Sequence, residues 1–180
     1  MSKTLRLLVL VALAGWTSSC TNVGSGGGGG TVQVNFEGTE NFTDMGRNYT
    51  SLRGADQGYV DELRRHIERT GAARLPAGYT LTLTIRDVDM AGQFEPERGP
   101  QFIDVRMVRT IYPPRIHLTY RLADSTGAVV SEGERRLTNR SFDWTVSPIT
   151  YDDPLHYEQA LMDDFLSDMS RQARAASPAS

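Results

Sequence analysis

Residues 80–89 read Thr-Leu-Thr-Leu-Thr-Ile-Arg-Asp-Val-Asp. Leu81, Leu83 and Ile85 alternate with Thr80, Thr82, Thr84 and Arg86, and a period of two puts each set on its own face of a strand. One face is apolar and the other is not, so the strand belongs to a half-buried sheet. The cover for its apolar face lies upstream, where the period changes between Ala55 and Thr70. Val60, Leu63 and Ile67 form one helical stripe with Tyr59, His66 and Thr70 along its edge, and Gly71 is expected to stop the helix.

Working outward, Val32, Val34 and Phe36 alternate with polar residues and predict a first strand, followed by a Gly-, Asn-, Thr- and Asp-rich loop over 38–54. Downstream, the strand runs through Asp87-Val88-Asp89-Met90 into a loop from Ala91 to Pro100. A further strand is expected over Phe102–Thr110, ended by Tyr112-Pro113-Pro114. Ile116, Leu118, Tyr120 and Leu122 then point one way, and Arg115, His117, Thr119 and Arg121 the other. Asp124-Ser125-Thr126-Gly127 is a hairpin turn returning through Val129, Val130 and Leu137. Val130 and Leu137 have opposite parity, which predicts a bulge at Gly133.

Asp153 as cap and Pro154 at the first position open a last helix. Its apolar face is Leu161, Met162, Phe165, Leu166 and Met169, with Asp163 on the polar side and Arg171 and Arg174 near the C-terminal end. The order β-α-β-β-β-α predicts an α+β, two-layer domain: a mostly antiparallel sheet of four to five strands with two amphipathic helices packed on one face. The alternative is a split β-α-β core with the late hairpin as an appendage.

The chain of 180 residues begins with Lys3 and Arg6, an apolar run from Leu5 to Trp16, and Thr17-Ser18-Ser19 before Cys20, its one cysteine. That order reads as an export signal, and a cysteine directly after small residues resembles a bacterial lipoprotein processing site. Thr17 stands where leucine is usual. The resemblance implies acylation of Cys20, and Thr21 in place of Asp implies sorting to the outer membrane. The alternative is an ordinary cut after Ala14 and a soluble secreted or periplasmic protein. The expected organisation is a signal peptide over 1–19, the lipidated cysteine and a Gly-rich tether over 20–30, one α+β domain over 31–174 and a tail over 175–180. A Gly-rich run of about ten residues reaches roughly 16–19 Å.

The chain has 19 basic and 22 acidic residues; Lys3 and Arg6 leave with the leader and no acid does, so 17 against 22 gives about −5. A mildly acidic surface carries no electrostatic footprint for nucleic acid and none for anionic lipid head groups, so membrane attachment would rest on the acyl chains of Cys20. No lysine follows Lys3, which removes Schiff-base catalysis, Walker-type phosphate loops and Ser-Lys dyads. A single cysteine removes internal disulfides and multi-thiolate zinc sites.

Four phrases together carry a family resemblance: LPAGYTLTLTIRDVDMAG at 75–92, RTIYPPRIHLTYRL at 109–122, GERRL at 133–137 and YDDPLHYEQALMDDFL at 151–166. They resemble the bacterial family called domain of unknown function 3016, over roughly Val32 to Met169. The resemblance implies an exported bacterial protein and brings no activity or catalytic residue. A basic residue commonly stands there where this chain has His156, which counts against an essential imidazole at that position.

His66 lies one turn after Glu62 and His156 one turn after Asp152; each pair is half a metal site at best. Asp87 and Asp89 are two apart on a strand end, so their carboxylates share a side. They are read first as acceptors of backbone N–H or arginine bonds, and alternatively as the cation ligands or acid/base pair of a small metal-dependent hydrolase. No cofactor is expected. The aromatics at element ends, Phe94, Phe102, Phe142 and above all Tyr112, Trp144 and Tyr151, are the candidates for a recognition patch. The resulting expectation is a non-enzymatic envelope module that binds a protein or cell-wall partner.

Overall fold

Alternating apolar residues do make the strands, and two slips in that alternation decide which side chains enter the core. The computed structural model describes residues 29–51, 53–145 and 153–177. Strands β1 (Thr31–Phe36), β2 (Thr80–Asp89), β5 (Arg115–Ala123) and β6 (Val129–Thr138) form one sheet in the order β1-β2-β5-β6. The β1–β2 pair is parallel, as a crossover through a helix requires, and the other two pairs are antiparallel. Because β5 pairs directly with β2, the late hairpin is part of the sheet and not an appendage. Helices α1 (Gln57–Arg74) and α3 (His156–Ala176) pack on one face. The fold is thus the two-layer α+β arrangement that the patterning predicts.

The core lies between sheet and helices. Leu81, Leu83, Ile85, Ile116, Leu118 and Leu122 from the sheet meet Leu63, Ile67, Met162 and Leu166, all buried. Tyr120 meets Phe165 edge-on, with ring centroids 5.5 Å apart. The other face of the sheet is polar, with Gln33, Thr82, Arg121 and Glu132 in one cross-strand row and Asn35, Thr84, Thr119 and Glu134 in the next.

The register slips between Ile85 and Asp87. Without that slip Asp87 would share the parity of Ile85 and enter the core. With it, Val88 pairs with Ile116 and is buried, while Asp87 and Asp89 go to the polar side. The second slip falls at Val130, since Ala123 pairs with Val129 and Leu122 with Ser131. Gly133 pairs in register with Tyr120, so the bulge expected at Gly133 lies three residues earlier, next to the turn.

Gly71 does not stop α1, which continues to Arg74 and ends before Leu75-Pro76. A Cβ at Gly71 would lie 2.7 Å from Val32 Cγ2 and 3.2 Å from Leu166 Cδ2. The glycine is there because helix, strand and second helix converge on it. The strand expected over Phe102–Thr110 shrinks to β4 (Arg106–Met107), paired with β3 (Gln93–Phe94); Pro100–Phe102 is a short 3-10 turn. α3 opens later than expected, with Leu155 at the cap position and no side-chain cap bond. Asp153 and Pro154 lie before it, and the Asp153 carboxylate accepts from Leu155 N–H at 2.8 Å and from the Gln159 side-chain amide at 2.8 Å. At its other end α3 runs through Ala175 and Ala176, which the sequence reading assigned to the tail.

Asp163 is not a free polar-face residue. Its carboxylate lies 2.8 Å from His66 Nε2 and 3.0 Å from Arg74 Nη2, tying α3 to α1. His66 thus partners the second helix and not Glu62. No helix among the described residues is long and apolar enough to cross a membrane.

Candidate functional site

The far end of the sheet, where β2 and β5 leave Asp89 and Arg115 side by side, carries the chemistry. Two excursions meet there. The first is the loop after β1, whose Asp44 runs briefly parallel to β2: Asp44 N–H donates to Val88 O and Met90 N–H to Asp44 O. Phe42 and Met45 anchor it in the core. The second is the excursion from Ala91 to Pro114, held by the β3–β4 ladder.

Asp44 and Arg106 join the two. Arg106 grips the Asp44 carboxylate with two bonds of 2.7 and 2.8 Å, donates to Gly46 O and Gly92 O, and stacks 4.5 Å over the Phe94 ring. A largely buried pair braced by two further bonds to backbone carbonyls fixes geometry more than it adds stability. Glu95, also buried, accepts from Arg98 and lies 3.4 Å from Arg109. Burial first, and then the Glu95 charge, holds the Tyr112 phenol above its ordinary value.

Asp87 and Asp89 flank Val88 on the same side of the strand but keep different company. The Asp87 carboxylate accepts from Thr43 N–H at 2.7 Å and Thr43 Oγ1 at 2.8 Å. Asp89 accepts from Arg115 Nη1 at 2.6 Å, directly across the ladder. Burial raises the Asp89 pKa, Arg115 opposes, and the charges of Asp44 and Asp87 push it further up. Among the described residues, no three His, Cys, Asp or Glu side chains converge as a metal site.

Two depressions open at this end. A polar cleft of about 340 Å³ is lined by Thr43, Asp44, Arg53, Asp89, Tyr112 and Arg115 among others. It brings Asp89 and Tyr112 together; Arg53, exposed on its wall, has no carboxylate partner among the described residues. A second, more apolar groove of about 390 Å³ is lined by Arg47, Tyr59, Phe94, Arg106, Val108 and Tyr157. Asp44 faces the first and Arg106 the second, so their ion pair stands in the wall between them. Arg47 is set by Asp56 at 2.9 Å and by the Tyr59 ring 4.3 Å away.

The remaining candidates are scattered. Trp144 is 86% exposed on the short helix α2 (Phe142–Thr145) and lines neither depression. Phe94 and Phe142 are buried. Tyr151, Asp152 and Cys20 lie outside the described residues. His117 faces Glu134 at 2.6 Å on the polar sheet face, and His156 Nδ1 donates to Asp153 O.

The patterning missed Asp44 and Arg53, which sit in a loop with no periodicity to expose them, and the pairing of Arg106 with Asp44, since β4 is only two residues long. It also missed Glu158, wholly buried in the first turn of α3. That one had a signal: it lies three residues before Leu161 and four before Met162, on the apolar stripe.

The fold is a two-layer α+β domain whose far end is braced by the Asp44–Arg106 and Asp89–Arg115 ion pairs. The chain belongs to the family described as Protein of unknown function (DUF3016), whose model matches residues 30–168. No curated protein matches it. Among solved structures it resembles a point variant of the PelC dodecamer from Paraburkholderia phytofirmans, with a TM-score of 0.32 and 14% identity over 79% of this chain and 89% of that one.

Proposed function

We propose that the protein is a non-enzymatic binding module of the bacterial cell envelope. In this reading it is held to a membrane by acyl chains on Cys20 and engages a protein or cell-wall partner with the far end of its sheet. The observation that carries the reading is a division between occupied acids and open apolar side chains. Asp44 is taken by Arg106, Asp87 by Thr43 and Asp89 by Arg115. Ile103, Val105, Val108 and Ile111, all on the second excursion, are between 41% and 67% exposed. Apolar side chains gathered on one excursion beside two depressions suit recognition better than turnover.

The test places a photo-crosslinking residue at Ile111 in the full chain in cells. A discrete adduct is expected that disappears when Val105 and Val108 are changed to Asp, with none from the same group at Arg121 on the polar sheet face. Cys20→Ser should move the protein out of the membrane fraction. Equal labelling from both positions, or a Cys20→Ser protein that stays with the membrane, overturns the corresponding half of the reading. The competing hydrolase reading has its own arm. The double change Asp87→Asn and Asp89→Asn should lower the melting temperature, because charge-assisted bonds are lost, and Mg2+ or Ca2+ should leave the wild type unchanged. A cation-dependent rise that vanishes in the double variant would bring the metal-dependent enzyme forward.

A further inference from the structure

Glu158 has no exposure at all, yet only one of its oxygens is used. Oε1 accepts from Ala91 N–H at 2.8 Å, which ties the first turn of α3 to the chain leaving β2. Oε2 is buried with no hydrogen-bond partner among the described residues. Ala91 belongs with Phe142 and Tyr157 to a small apolar cluster separate from the main core, with Phe142 edge-on to Tyr157 at 4.8 Å. Ala91 and Tyr157 also line the second groove. Glu158 therefore stands immediately behind the groove wall.

The charges that face it come from both sides. Arg106, across the groove, favours the ionised form; Asp153, on the approach to α3, opposes it; and His156 is two residues away on the same turn. Burial outweighs the bond from Ala91 N–H, and after it Arg106, and pushes the Glu158 carboxyl up to about 7. A neutral carboxyl is tolerable in such a place, whereas an anion with one unsolvated oxygen is far costlier. Hydration relieves that cost, and the groove lined by Ala91 and Tyr157 is a route by which solvent can reach the carboxyl. A satellite cluster apart from the main core is the place where local opening needs the least disruption of the fold.

We propose that Glu158 is a protonation-controlled latch on the second groove. Neutral, it lets Ala91, Phe142 and Tyr157 close dry over the first turn of α3. When Oε2 gives up its proton to solvent, water enters through the wall and Ala91 parts from Tyr157, widening the groove. The latch stands whether or not the groove is the site of partner binding.

The experiment is NMR on the full chain between about pH 5 and pH 8.5, following the Glu158 side-chain carboxyl and amide exchange, corrected for intrinsic rates. The carboxyl should titrate near neutrality, and the protection of the Ala91 amide should fall at least about tenfold across that titration. Leu83, in the middle of the sheet, should keep its protection, and Glu158→Gln should hold Ala91 protected throughout. A carboxyl that titrates in the ordinary range overturns the proposal. So does an Ala91 amide indifferent to the titration, or an equal loss of protection in Glu158→Gln. Should the Gln variant fold poorly, the wild-type comparison of Ala91 with Leu83 decides alone.

Discussion

A carboxyl held near 7 in the folded state and near its usual 4.5 when unfolded links stability to pH in a definite direction. Between those values the folded protein holds the proton that the unfolded chain has lost. The neutral Glu158 therefore contributes fully below about pH 4.5, and its contribution fades as pH rises through 7. The gap corresponds to roughly 3 kcal/mol. Glu158→Gln should accordingly match the wild type near pH 5 and be clearly more stable than it at pH 8.5, by chemical denaturation. A difference independent of pH would show that Glu158 does not carry the proton. Asp163 is the opposite kind of residue, lying on a polar face yet bonded to His66 and Arg74. With its side chain a third exposed, screening trims the pair, and Asp163→Ala is expected to cost about 1–2 kcal/mol. The helical wheel alone suggests half a kcal/mol or less. Phe165→Ala, buried against Tyr120, should cost about 3–5 kcal/mol. Equal denaturation midpoints for the two variants would mean that the faces of α3 are misassigned.

At the scale of elements, period was legible and its interruptions were not. The alternation in β1, β2 and β5 and the stripes of α1 and α3 follow from burying one face, so the amino-acid pattern records them. The slips at Arg86 and Val130 depend on what the neighbouring strand presents, and local sequence records that poorly. The cleft was less legible still: Asp89 and Tyr112 do line it together, but their neighbours Asp44 and Arg53 arrive from the loop after β1, far away in sequence. Two glycines show the same limit. Gly71 reads as a stop and is a contact; Gly133 reads as a bulge and is an ordinary ladder residue. Gly71→Ala gains about 1 kcal/mol of helix propensity but drives a methyl into the stiff Val32 side chain, and overpacking costs about 1–3 kcal/mol. The net expectation is a lower melting temperature. At Gly133 the nearest atom to an added Cβ is the Tyr120 ring at 3.6 Å, and its φ is not among the positive ones. Gly133→Ala should hold or raise the melting temperature. The reverse order in paired thermal melts would place the close approach at the wrong glycine.

The whole molecule has two ends of different character. At one end lie the start of β1, the Pro76–Gly78 turn and the hairpin tip, with Gly30 N–H bonded to Leu75 O and Thr80 paired with both Thr31 and Ala123. At the other lie Asp89, Arg115, the two depressions and the apolar excursion. The ten residues of β2 set roughly 30 Å between them. On the proposed anchoring at Cys20, a Gly-rich tether reaching roughly 16–19 Å leaves from the first end. The apolar excursion then points away from the membrane that holds the protein, toward a partner in the envelope and not toward its own lipid. Fluorophores on Ser125→Cys at the hairpin tip and on Ile111→Cys on the excursion test this arrangement. Both proteins are purified with the acylated N-terminus and reconstituted into vesicles containing a spin-labelled lipid. Quenching should be several-fold stronger at residue 125 than at residue 111, because contact quenching falls away within a few ångströms of the lipid. Equal or stronger quenching at residue 111 would mean that Ile103, Val105, Val108 and Ile111 dip into the anchoring bilayer, and that the partner of the apolar excursion is the membrane itself.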